Sequence, residues 1–68
     1  MAFTYAKLRG RIIEKFGSQG AFADVLGVHL NTVSRKLNGK IAFTRDDMLI
    51  WARLLGIDQA DIGNYFFE

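Results

Sequence analysis

The sequence predicts an all-α fold of five short helices, and three observations support this prediction. Apolar residues recur at spacings of three and four along most of the 68 residues, as on one face of an α-helix. Residues that favour helix starts (Ser18, Thr44) and glycines that favour helix ends (Gly17, Gly56) divide these patterns. The chain has no proline, and no repeat or low-complexity tract indicates a linker. We therefore expect one compact domain spanning residues 1–68.

The first helix is expected over residues 4–16, with Thr4 as its N-cap and Gly17 as the residue that ends it. Its apolar stripe consists of Tyr5, Leu8, Ile12 and Phe16. Gly10 lies inside this helix, where glycine costs roughly 0.5–1 kcal/mol relative to alanine. Gly10 either permits close packing of another helix or is a tolerated weakness.

The next two helices are expected over residues 19–26 and 30–38, joined by a tight turn at Gly27 and Val28. Ser18 is a good N-cap for the first of them, and His29 occupies the N-cap position of the second. Their inward faces are apolar and consist of Phe22, Ala23, Leu26, Val33 and Leu37. Both helices are short and depend on packing for stability.

The outward face of the helix over residues 30–38 is polar and basic. It carries Asn31, Thr32, Ser34, Arg35 and Lys36. The Asn38-Gly39 pair could form a hairpin turn, but no alternating strand pattern flanks it, so Gly39 is predicted to end the helix. A short helix with a buried back and a cationic, hydrogen-bonding front suits the DNA major groove.

A fourth helix is expected from Thr44 to its end at Gly56, with Thr44 and Asp47 resembling a capping box. Its core stripe consists of Met48, Trp51, Ala52 and Leu55. Leu49, Ile50 and Leu54 make the helix apolar almost all round. This pattern indicates either deep burial or a second contact surface.

The loop over residues 40–43 is expected to be anchored to the core by Ile41 or Phe43. Asp58 is the predicted N-cap of a last helix that runs to about residue 65. The tail is unusually apolar, since it holds Ile57, Ile62, Tyr65, Phe66 and Phe67. Such a tail must either fold back on the core or contact another subunit.

Charge is divided unevenly along the chain. Residues 1–45 hold eight Lys or Arg and two acidic residues, or +6, whereas residues 46–68 hold one Arg and five acidic residues, or −4. This division suits a protein with one surface turned towards a polyanion. Ordinary solvated charges would account for it equally well.

Several functional classes have no support in the sequence. The absence of cysteine excludes disulfides and thiolate metal sites, and no apolar run approaches the roughly 20 residues of a membrane span. The N-terminal segment lacks the apolar core of a signal peptide, so we expect a soluble intracellular protein. Asp24, His29 and Ser34 are the residue types of a catalytic triad, but they lie on opposite sides of a tight turn. We expect no enzyme activity, cofactor, metal or small-molecule substrate.

The chain resembles the lambda-repressor-like DNA-binding domain, that is, the Cro/C1 or XRE type of helix-turn-helix. The resemblance covers nearly the whole chain and involves Gln19, Ala23, Gly27-Val28, Val33, Asn38-Gly39-Lys40, Met48, Trp51, Ala52 and Leu55-Gly56-Ile57. It implies a compact five-helix domain in which helices two and three form the motif. It also implies a phage or prophage Cro-like repressor that acts in the cytoplasm of a bacterial cell or phage-infected host.

The resemblance implies the roles of individual residues. The positions that would reach base edges are Leu30, Asn31, Ser34 and Arg35. Those that would contact phosphates are Gln19, Thr32, Lys36, Asn38, Lys40 and Arg45. Leu30 departs from the family pattern, because leucine can pack on a thymine methyl but cannot hydrogen-bond to a base. Lys36 departs too, since this position is often apolar in the family, and Leu37 is expected to pack in its place and leave Lys36 free for phosphate.

A homodimer on double-stranded operator DNA is expected, because one module reads few base pairs. The predicted dimer surface consists of Leu54, Ile57, Tyr65, Phe66 and Phe67. The alternative is a protein-interaction module of the antitoxin type, with secondary DNA binding, whose main contact would be the apolar surface of the fourth helix.

Overall fold

The helices of the chain follow the predicted order. The computed structural model describes residues 5–67, and within them lie five α-helices and one 3₁₀ turn. Helix α1 is Ala6–Phe16, α2 is Gln19–Leu26, α3 is Leu30–Leu37, α4 is Arg45–Leu55, the 3₁₀ turn is Gln59–Asp61, and α5 is Ile62–Phe66. The prediction of a compact all-α fold with five helices is confirmed. None of the helices within residues 5–67 combines the length and apolar character needed to cross a membrane.

Local hydrogen bonds explain the helix boundaries that were predicted correctly. Ser18 Oγ accepts a hydrogen bond from the backbone N–H of Ala21 at 3.0 Å and caps α2. At α4, Thr44 Oγ1 accepts from the N–H of Asp47, and the Asp47 carboxylate accepts from the N–H of Thr44. This reciprocal pair is the capping box that the sequence predicted.

The ends of three helices differ from the prediction. The predicted N-cap Thr4 lies outside the described residues, and α1 begins at Ala6 after Tyr5, whose φ is 54°. Helix α3 ends at Leu37, one residue early. The last helix is divided into the 3₁₀ turn and α5, and Asp58 makes no side-chain capping hydrogen bond. Without such a cap, nothing local favours a continuous α-helix from residue 59.

The core is formed by residues from all five helices and the connections between them. Its buried members are Leu8, Ile12, Phe22, Ala23, Val33, Leu37, Trp51, Ala52, Leu55, Ile57 and Phe66. Phe43, from the loop before α4, makes edge-to-face contacts with Tyr5, Trp51 and Phe66 at ring-centroid distances of 5.2, 4.9 and 5.1 Å. Ile41 is exposed. Phe43 is therefore the residue that anchors this loop.

The apolar tail folds back on the core for most of its length. Phe66 is 1% exposed and Ile57 is 9% exposed, whereas Phe67 is 57% exposed. Leu54 and Tyr65 are half-buried and pack against the core. Phe66 and Ile57 therefore offer little side-chain area to a partner, and the predicted dimer surface stays a prediction. Of the two alternatives for α4, the structure supports a second surface, since Ile50 is 51% and Leu49 40% exposed.

Candidate nucleic-acid interface

Helix α3 presents opposite faces to the core and to solvent. Val33 and Leu37 are fully buried. The solvent-facing side, which we call the α3 front, consists of Leu30, Asn31, Ser34 and Arg35. Leu30, Asn31 and Arg35 are exposed, and Ser34 is half-buried. The four predicted base-contacting residues therefore lie on one face of one helix, at positions that are neighbours on a helical surface.

A short connection sets the angle between α2 and α3. Gly27 has a φ of 80°, a conformation that suits glycine, and its N–H donates to Ala23 and Asp24. The N–H of Val28 also donates to the carbonyl of Ala23, at 3.1 Å. His29 Nδ1 then accepts from the N–H of Asn31 at 3.2 Å and caps α3. His29 thus caps α3 from the N-cap position that the sequence indicated.

The C-terminal end of α3 is fully hydrogen-bonded. Backbone N–H groups satisfy three of the last four carbonyls: Asn38 donates to Ser34, Lys40 to Arg35 and Gly39 to Lys36. Gly39, with a φ of 75°, gives the chain the left-handed turn that this arrangement requires. The fourth carbonyl, that of Leu37, accepts from Arg9 Nη2 at 2.6 Å. The same nitrogen donates to Asn38 Oδ1 at 2.8 Å.

The six predicted phosphate-contacting residues have different surroundings. Lys40 and Arg45 are exposed, and Gln19 and Thr32 are half-buried. Asn38 is exposed, but its side chain is engaged by Arg9. Lys36 Nζ donates to Asp47 Oδ2 at 2.5 Å, and its side chain is only 13% exposed. Lys36 is therefore not free for a phosphate, contrary to the expectation from the sequence.

The Lys36–Asp47 pair connects α3 to the start of α4. Burial acts to raise the pKa of Asp47, but hydrogen bonds from Lys36 and Thr44, together with the Lys36 charge, outweigh burial. The pKa of Asp47 therefore lies below its ordinary value of 3.8, and this carboxylate stays ionised at neutral pH.

Several Lys and Arg side chains form hydrogen bonds or ion pairs with other parts of the chain. Arg9 binds the end of α3, and Lys36 is paired with Asp47. Arg11 donates from Nε to the Leu55 carbonyl at 2.8 Å and pairs with Glu14 at 2.6 Å. Lys7 Nζ lies 5.6 Å from the centroid of the Tyr65 ring. At least four of the eight cations in residues 1–45 thus have intramolecular contacts, so the charge division overstates the positive potential available to a polyanion. Among the exposed cations, Arg35 belongs to the α3 front, and Lys40 and Arg45 follow it most closely in sequence.

A pocket with both apolar and charged lining residues lies between α4, α3 and the α2–α3 connection. Its volume is about 130 Å³, and it is lined by Leu26, Val28, Thr32, Lys36, Asp47, Ile50 and Trp51. The rim residues Ile50 and Val28 are 51% and 38% exposed. We call the site formed by these seven residues the α4 pocket. Within residues 5–67, no three His, Cys, Asp or Glu side chains come together as a metal site requires.

Arg9 and Asp47 each make a long-range contact that the sequence did not predict. Asp47 was predicted as a cap but not as the partner of Lys36, 11 residues away. Arg9 was counted only as a cation, and it contacts residues 28 and 29 positions along the chain. No local pattern signals either contact, because helical periodicity describes neighbours at three and four residues only.

Comparison with known proteins places the chain in a family. The solution structure of the modulator of repression of the temperate bacteriophage TP901-1 from Lactococcus lactis is similar to it. The two are 40% identical, the TM-score is 0.88, and the match covers 100% of this chain and 92% of the phage protein. Comparison with curated proteins finds no match. A family model described as protein of unknown function (DUF739) matches residues 1–68, and the chain belongs to that family.

Proposed function

We propose that this protein is a phage transcriptional regulator that binds double-stranded DNA through the α3 front. One observation carries the proposal: α3 buries Val33 and Leu37 and turns Asn31, Ser34 and Arg35 to solvent. A helix so arranged can enter the major groove, which is wide enough for one helix. The similarity to a phage modulator of repression supports a regulatory role in a phage.

In this proposal, α2 and α3 form a helix-turn-helix with α3 as the recognition helix. Arg35 donates two hydrogen bonds to guanine O6 and N7, and Asn31 pairs with adenine. Ser34 contacts a third base edge, and Leu30, 45% exposed, packs on a thymine methyl. Gln19, Lys40 and Arg45 are the proposed phosphate contacts, which orient the protein on the duplex.

A homodimer on a pseudo-palindromic operator follows from the small reading surface of one α3. The surface available for such a dimer is narrower than expected from the sequence, because only Phe67 of the five predicted residues is well exposed. Leu54 and Tyr65 are half-buried and would contribute their outer edges. Two α3 helices would then read half-sites about one helical turn apart.

The test is selection of bound sites from a random DNA library at a stated salt concentration, followed by two substitutions. Arg35→Ala should cost roughly 1–3 kcal/mol on the selected site and relax preference at one base pair. Lys40→Ala should weaken binding to all sequences and reduce the slope of log affinity against log salt by about 1. Equal behaviour of the two variants would contradict the assignment of base and phosphate contacts, and failure to enrich any site would contradict sequence-specific binding.

The second candidate function is regulation through a protein partner. The α4 pocket favours it, because exposed Ile50 and Val28 form an apolar rim beside a pocket large enough for one partner side chain. Ile50→Asn should then abolish regulation in a reporter assay in which Arg35→Ala has little effect. Ile13→Asn is the matched control, since Ile13 is equally exposed at 51% but lies on α1 and does not line this pocket. The opposite pattern supports DNA recognition by α3.

A further inference from the structure

The last turn of α3 depends on a residue from another helix. The backbone satisfies the carbonyls of residues 34–36, but the Leu37 carbonyl has Arg9 as its partner. A guanidinium at a helix C-terminus is favourable twice, as a hydrogen-bond donor and as a cation facing the negative end of the helix dipole. Arg9 therefore contributes to the position of the end of α3 relative to α1.

The same guanidinium determines how the Asn38 side chain is turned. Because Oδ1 accepts from Arg9, the Nδ2 group is directed away from the cation, and it lies 3.5 Å from Ser34 Oγ. Asn38 Nδ2 can only donate, so Ser34 Oγ is the acceptor in this contact. The Ser34 hydroxyl then keeps its own hydrogen for another acceptor. A chain of polar contacts thus runs from Arg9 through Asn38 to Ser34 on the α3 front.

We propose that Arg9 is a positioning residue for the α3 front. It holds the last turn of α3 and, through Asn38, presents the Ser34 hydroxyl as a hydrogen-bond donor to a base acceptor such as purine N7, guanine O6 or thymine O4. The expected effect of Arg9 on DNA affinity rests on the proposed DNA-binding function, whereas its contact with the end of α3 does not. It also gives Asn38 an intramolecular role in place of the predicted phosphate contact.

Arg11 provides a matched control on the same helix. Arg11 Nε donates to the carbonyl of Leu55, the last residue of α4, as Arg9 does to the last residue of α3. Arg9→Gln and Arg11→Gln each remove one positive charge and one contact to a helix end. Only Arg9→Gln releases the end of α3. Arg9→Lys retains the charge, but its Nζ ends one bond short of the position of Nη2, the nitrogen that donates to both acceptors.

The first measurement is amide hydrogen exchange by NMR in the free protein. Arg9→Gln and Arg9→Lys should both accelerate exchange at the amides of Gly39 and Lys40 by about tenfold. This factor corresponds to the free energy of one charge-assisted hydrogen bond. Arg11→Gln should leave these amides unchanged and accelerate exchange at Gly56 and Ile57. Exchange at core amides such as Ile12 reports whether each variant remains folded. Unchanged protection at Gly39 and Lys40 in both Arg9 variants would overturn the inference.

The second measurement is affinity for the selected DNA site and for unrelated DNA at one salt concentration. Both Arg9 variants should lose about tenfold on the selected site, more than on unrelated DNA, and more than Arg11→Gln does. If Arg9→Lys binds like the wild type, Arg9 acts only through its charge and the positioning role is wrong. If the wild type selects no site, the proposed function fails, and the exchange measurement alone decides whether Arg9 holds α3.

Discussion

At the scale of single residues, Asp47 shows how one side chain stabilises two elements. Its carboxylate accepts from the N–H of Thr44 at 3.0 Å and from Lys36 Nζ at 2.5 Å. The first contact caps α4, and the second joins α4 to the recognition helix proposed above. Hydrogen bonds from Lys36 and Thr44 and the charge of Lys36 favour the ionised carboxylate, which is why the pKa of Asp47 is lowered despite partial burial.

Asp47→Asn should remove part of the acid sensitivity of the fold. Because the pKa of Asp47 is lower in the folded than in the unfolded protein, its stabilisation is present above the ordinary value of 3.8 and is lost as pH falls through the folded value. We expect Asp47→Asn to lower the free energy of unfolding by about 1 kcal/mol at pH 7. The difference from the wild type should shrink as pH decreases below 3.8.

Urea unfolding of the wild type and the variant between pH 7 and pH 2.5 measures this effect. Asp46→Asn is the control, because Asp46 is an exposed carboxylate of the same helix turn that accepts neither the Thr44 nor the Lys36 hydrogen bond. If the two variants lose the same free energy of unfolding at every pH, a negative charge near the start of α4 accounts for the stabilisation. The contacts of Asp47 with Lys36 and Thr44 would then contribute nothing to it.

At the scale of helices, prediction succeeded where the determinants were local. The start of α2 depends on Ser18 and the start of α4 on Thr44 with Asp47, and these residues lie within three positions of the groups they cap. The start of the last helix was less predictable, because Asp58 makes no capping hydrogen bond and the 3₁₀ turn Gln59–Asp61 precedes α5. The outward position of Asn31, Ser34 and Arg35 followed from periodicity. The contacts of Arg9 and Lys36 depend on the packing of α3 against α1 and α4, which periodicity does not describe.

Gly10 within α1 and Gly27 just after α2 separate the effect of backbone conformation from the effect of available space. A Cβ built on Gly10 or on Gly27 has no neighbour within 4 Å, but only Gly27 has a positive φ, of 80°. The open surroundings of Gly10 rule out close packing of another helix as its reason, which leaves the tolerated weakness. Gly10→Ala should therefore raise the free energy of unfolding by about 0.5–1 kcal/mol.

Gly27→Ala should instead lower the free energy of unfolding by about 1–2 kcal/mol, the cost of a left-handed conformation for a residue with a Cβ. Thermal and urea unfolding of both variants measure the two effects in one background. Stabilisation by Gly27→Ala would show that the α2–α3 connection adjusts its backbone, in which case DNA affinity should change with it. A loss of stability for Gly10→Ala would contradict the open surroundings of that position.

At the scale of the whole molecule, the aromatic residues decide how much surface remains for a second subunit. Phe22 packs edge-to-face on Trp51, and Phe43 joins Trp51 to Phe66, so the rings form one cluster across the core. The tail that the sequence left undecided between core and partner is buried in the core at Phe66 and exposed at the next residue. Phe66 belongs to the monomer, and Phe67 remains exposed.

Substitution of these adjacent residues separates folding from association. Phe66→Ala should cost about 3–5 kcal/mol, because it empties a buried site that contacts Phe43. Phe67→Ala should change the stability of the monomer by less than about 0.5 kcal/mol, since the side chain is mostly solvated. If Phe67 contributes to a homodimer, its removal should instead shift the sedimentation equilibrium towards monomer and weaken binding to a two-half-site operator more than to a single half-site. A wild-type protein that stays monomeric at high micromolar concentration, both free and on DNA, would rule out that dimer and leave one α3 front as the whole reading surface.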